Sequence, residues 1–63
     1  MDKKAFGKQL QLYRERAGYS QEALAEQIEC STIFISYIER GEKSPSLDTL
    51  VKLANALDIS VDI

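Results

Sequence analysis

Histidine and tryptophan are absent from this 63-residue chain, and cysteine, proline and methionine each occur once. A lone cysteine gives no disulfide framework, and without histidine there is no basis for an all-protein zinc site, which needs about four Cys, His or carboxylate ligands. No nucleophile-base constellation and no glycine-rich phosphate loop is present either, so catalysis is not expected and no cofactor is implied. No apolar run approaches the ~20 residues of a membrane span. Met1-Asp2-Lys3-Lys4 leads straight into a helical pattern rather than into the apolar core of a signal peptide. A reducing, cytoplasmic setting is expected. The chain also lacks a basic surplus: eight Lys and Arg against ten Asp and Glu give a net charge of −2, opposite to the usual balance of nucleic-acid binders.

What is present is ordinary for a globular protein, with 44% hydrophobic and 29% charged residues. Residues 1–63 suffice for a single domain, and a domain this small buries only about 60% of the surface its unfolded chain exposes. The charge is unevenly spread. Residues 1–17 carry Lys3, Lys4, Lys8, Arg14 and Arg16 against Asp2 and Glu15, a net of +3, whereas residues 18–63 carry a net of −5.

Phe6, Leu10, Tyr13 and Ala17 recur at helical spacing and predict a helix from about Lys3 to Ala17, stopped by Gly18. Ser20 stands where a cap belongs, before a helix of about two turns with Ala23, Leu24, Ala25 and Ile28 facing inward. Ser31 caps a third helix that turns Ile35 and Ile38 inward, helped by Phe34, and ends at Gly41. After the polar loop Glu42-Lys43-Ser44-Pro45, Ser46 caps a fourth, with Leu47, Leu50, Val51, Ala54 and Leu57 in register and Leu53 beside them. Ser60 can cap a fifth, of at most one turn. The expected fold is all-α, a compact four- to five-helix bundle. The end shortly after Ser60 reads either as a minimal protein or as a domain of a longer chain.

The pattern resembles the lambda-repressor-like helix-turn-helix family, the group of Cro, the cI-type phage repressors and the XRE-type bacterial regulators. It is carried by Gly7, Leu10, Arg14, Ser20-Gln21-Glu22, Leu24-Ala25, Ile28, Ser31, Ile35-Ser36, Ile38-Glu39-Arg40-Gly41, Pro45-Ser46-Leu47, Leu50, Leu53-Ala54 and Ala56-Leu57, nearly the whole chain. The resemblance implies a helix-turn-helix over about residues 20–41, with the third helix, about 32–40, lying in the DNA major groove. Small Ala25 suits a close crossing of the second and third helices. The resemblance also implies an ion pair between Arg14 and Glu39, locking the first helix to the third. The alternative is two unrelated surface charges.

Two positions depart from the family pattern. The turn position commonly held by glycine is Glu29, and a left-handed conformation there carries a penalty of roughly 1 kcal/mol. Cys30 replaces a small aliphatic residue, which makes a buried, inert thiol the expected role, with no nearby cation to favour the thiolate.

By the angular spacing of a 3.6-residue helix, Ile33, Ser36, Tyr37 and Arg40 face away from Ile35 and Ile38, with Thr32 at the edge. Read through the resemblance, these face DNA. Ser31 and Thr32 suit base edges or phosphates, Ile33 a thymine methyl, and Tyr37 a base or phosphate through its hydroxyl. Gln21 falls where the family's glutamine meets a phosphate, and Arg40, Lys43 and Ser44 flank the other side, opposed by Glu42. A solvated helix surface is the alternative for this face, as it is for Lys3, Lys4 and Lys8. Apart from Arg40, no Arg or Gln on this face is poised for bidentate readout, so shape and apolar contacts carry the expected preference.

Few phosphate contacts mean weak monomer binding, and hence a homodimer on a palindromic operator with half-sites roughly 34 Å apart. Leu12 and the tail Ile59, Val61 and Ile63 are the candidate interfaces, the tail alternatively packing back on the fourth helix. The expected function is a bacterial or phage repressor that binds double-stranded DNA, with no membrane role. The acidic balance of residues 18–63 and the Ile33-Phe34 pair favour the competing expectation, a protein-interaction module on the same scaffold, such as an antitoxin or antirepressor component.

Overall fold

The computed structural model describes residues 2–59, which form four helices: α1 (Lys3–Arg16), α2 (Gln21–Gln27), α3 (Thr32–Glu39) and α4 (Leu47–Leu57). A fifth helix capped by Ser60 lies outside the described residues, as do Val61 and Ile63.

Each helix starts on a side-chain cap. Asp2 accepts from the backbone N–H groups of Lys4 and Ala5, and the hydroxyls of Ser20, Ser31 and Ser46 accept from Ala23, Phe34 and Thr49 at 3.0–3.2 Å. These bonds satisfy amides that have no partner within the first helical turn. Each helix also ends on a left-handed residue, at Gly18, Glu29, Gly41 and Asp58. At the end of α2, Cys30 N–H reaches back to Ala25 O at 2.9 Å, closing the turn into α3 with Glu29 at φ 59°. The turn therefore keeps the left-handed conformation, and its strain falls on a glutamate.

Leu24, Ile35 and Ile38 are completely buried, and with Leu10, Ala25, Ile28, Leu53 and Leu57 they make one core shared by all four helices. Phe6, Tyr19, Phe34 and Ile59 pack against it. Ile59 thus packs back on the core rather than standing out as a tail.

The inward stripes differ in places from helical spacing alone. On α1 the buried positions are Gly7, Leu10 and Arg14, while Tyr13 and Ala17 are exposed. The reason is a close crossing: a Cβ on Gly7 would overlap the carbonyl oxygens of Ile38 and Glu39, so α1 rolls its bare backbone onto the end of α3. Ala23 is exposed on α2. On α4 the buried face is Leu53, Ala54 and Leu57, leaving Leu47 61% and Val51 42% exposed. A domain of this size has too little opposing surface to cover every apolar residue at helical spacing.

Candidate nucleic-acid interface

The contacts of α3 are concentrated on α1 and α2. Ala25, 2% exposed, lies in the same buried core as Ile35, where its small side chain suits a close approach of α2 and α3. At the other end of α3, Arg14 and Glu39 form a buried pair through two bonds, Nε to Oε2 at 2.6 Å and Nη2 to Oε1 at 3.2 Å. Arg14 Nη1 also donates to Tyr19 O at 2.8 Å, and Gln21 Nε2 donates to Glu39 Oε1 at 2.9 Å. One guanidinium and one carboxylate therefore join α1, the α1–α2 turn, the start of α2 and the end of α3. Among the described residues no buried side-chain nitrogen or oxygen lacks a partner. Such a pair fixes geometry more than it adds stability, because desolvation of both charges offsets much of their attraction.

With its inner face tied down, α3 turns the opposite face outward. Ser31, Thr32, Ile33 and Arg40 are exposed, Ile33 at 65%, and Ser36 and Tyr37 are half-buried. The Ser31 hydroxyl already accepts from Phe34 N–H as the cap. Lys43 and Ser44 are exposed in the following loop. The Arg40 guanidinium and the Lys43 ammonium lie 5.1 and 5.2 Å from the centre of the Tyr37 ring, within cation–π range. Gln21 is half-buried, and its bond to Glu39 uses one of the two amide N–H donors.

Three features of this surface are not signalled by residue spacing. Gly41, at φ 76°, is pressed against α1: a Cβ there would stand 2.7 Å from Lys4 Cγ. Lys4 therefore borders the loop that carries Lys43. Glu42 pairs with Arg40 rather than merely opposing it. Gln21 is oriented by Glu39, a contact between residues 18 apart in sequence. Only the glycine at 41 and the acid at 42 hint at the first two.

Cys30 is half-buried, with Sγ 3.5 Å from Ser31 O. Burial pushes its thiol up, and Lys52 offsets part of that shift, so the expectation of no neighbouring cation is corrected while the thiol stays protonated near neutral pH.

A short helix braced crosswise by another, joined through a tight left-handed turn and presenting a solvent-facing side, defines a helix-turn-helix domain. The Helix-turn-helix family (HTH_3) matches residues 10–63, and the chain belongs to this family, of the XRE and Cro/cI type. It is 38% identical over 58 residues to the HTH-type transcriptional regulator ImmR of Bacillus subtilis, covering 92% of this chain but 46% of ImmR. To the uncharacterized HTH-type transcriptional regulator YazB of the same organism it is 32% identical over 62 residues, covering 98% of this chain and 90% of YazB. The crystal structure of the restriction-modification controller protein C.AhdI from Aeromonas hydrophila superposes with a TM-score of 0.89 at 39% identity, over 94% of this chain and 89% of that one.

Proposed function

We propose that the chain is a sequence-specific DNA-binding domain that regulates transcription, acting as a repressor by occupying an operator in the cytoplasm, on the nucleoid. The observation that carries this reading is the contrast at α3: its inner side is locked by Arg14, Glu39 and Gln21, while Thr32, Ile33, Ser36 and Tyr37 face outward beside Arg40. A groove-reading helix needs that combination, because its contacts act only if its angle to the backbone is held.

In the complex, Thr32, Ile33, Ser36 and Tyr37 meet base edges. Ile33 supplies apolar contact for a thymine methyl, and Ser31 serves a base edge or a phosphate. The second amide N–H of Gln21 meets a phosphate on one flank, and Arg40, Lys43 and Ser44 meet phosphates on the other. With Arg40 and Lys43 the cations among these contacts, few phosphates are neutralised, and one domain has weak affinity and a shallow salt dependence. Two copies on a palindrome, with half-sites roughly 34 Å apart, supply the rest.

Selection from random duplexes is the direct test. Enrichment of a short palindrome, with Tyr37→Ala and Arg40→Ala weakening capture while thermal melting stays cooperative, supports the reading. No enrichment at low salt, with a purified protein partner bound through Ile33 instead, would replace it with an interaction module on the same scaffold.

A further inference from the structure

Gly41 turns the chain back over the last turn of α3. Glu42 N–H donates to Tyr37 O at 2.9 Å and Gly41 N–H to Ile38 O at 3.0 Å, so Glu42 stands at a fixed reach from the helix end. Within that frame Arg40 Nε donates to the Glu42 carboxylate. The same guanidinium and the Lys43 ammonium gather at the Tyr37 ring. Two cations held at one electron-rich ring, with a carboxylate already on one of them, have the chemistry of an occupied anion site. The Arg40 and Glu42 side chains are 56% and 53% exposed, so a larger anion can approach the guanidinium from solvent.

Resting on the DNA reading above, we infer that Glu42 is an internal competitor for Arg40, a carboxylate that holds the guanidinium until a DNA phosphodiester displaces it. The exchange replaces one charge-assisted hydrogen bond with another and brings the phosphate beside Lys43, so the gain from contacting DNA at Arg40 is partly cancelled by the bond to Glu42 that is lost. Tyr37 keeps both cations gathered when the carboxylate leaves. Glu42 thus sets the strength of the grip on this flank and not the choice of bases. Lys4, packed against Gly41, adds a third cation at the border of the loop, and its charge is untouched by the exchange.

The test is a double-mutant cycle read as affinity for a mixed-sequence DNA duplex about two helical turns long at low salt. Wild type, Glu42→Gln, Arg40→Gln and the double variant are compared, with thermal melting to verify folding. Glu42→Gln should bind about two- to fivefold more tightly, the size expected of an exposed ion pair. In the Arg40→Gln background the same change should leave affinity nearly unaltered. An equal gain in both backgrounds overturns the proposal, because Glu42 would then act by general repulsion of DNA. Equal affinity of wild type and Glu42→Gln overturns it too, leaving the DNA reading intact. If neither protein binds any duplex, both readings fall.

Discussion

On the inner side of α3, Ile35 and Ile38 are wholly buried and Glu39 takes hydrogen bonds from Arg14 and Gln21. On the outer side, Ile33 is 65% exposed, Thr32 is exposed, and Ser36 and Tyr37 are half-buried. The inner face is over-determined, with packing, a close glycine crossing and a buried ion pair all setting the same helix angle. The outer face is under-determined, since any residues that tolerate solvent are compatible with the same backbone. One helix therefore separates what makes the domain from what, in the proposed function, the domain reads, and substitutions on its two sides should differ in kind.

Glu39→Ala is the most damaging change expected. It strands the buried Arg14 guanidinium and frees the Gln21 amide, at a cost of about 3–5 kcal/mol by urea denaturation. Replacing the pair together by Arg14→Met and Glu39→Leu should cost less than that single change, and an equal or larger loss would contradict a geometric role for the pair. Next is Gly7→Ala, whose Cβ has no room against the α3 carbonyls and should destabilise by about 1–3 kcal/mol. A neutral result there would show that α1 can back away from α3. Glu29→Gly relieves the left-handed strain and should raise the urea midpoint by up to about 1 kcal/mol equivalent, without altering DNA selectivity. Ile33→Ser is the opposite probe: stability should stay within about 0.5 kcal/mol, while selection from random duplexes returns a different or weaker motif. A large stability loss at Ile33 would break the division between the two faces.

Much of the scaffold can be read from spacing and caps, because Ser20, Ser31, Ser46, Gly18, Gly41 and the apolar residues between them obey local rules. The left-handed Glu29 and the Arg14–Glu39 pair follow from the resemblance, and both are present. Gly7 is different. Its meaning lies in which backbone crosses it, a tertiary fact that leaves no periodic trace. The same holds for Tyr13, Leu47 and Val51, whose apolar character suggests burial but which no element among the described residues covers. Gln21 and Arg40 are residue types that the resemblance expects at DNA, whereas their ties to Glu39 and Glu42 depend on side-chain directions that appear only once α2, α3 and the following loop are assembled.

The contact between Lys4 and Gly41 has a consequence for the approach to DNA. With Arg14 neutralised inside the molecule, Lys4 at the head of α1 is carried beside Gly41, next to the loop that holds Lys43. In the proposed function, cations from two elements far apart in sequence thus border one edge of α3, so that edge can meet a polyanion although the chain as a whole is net negative.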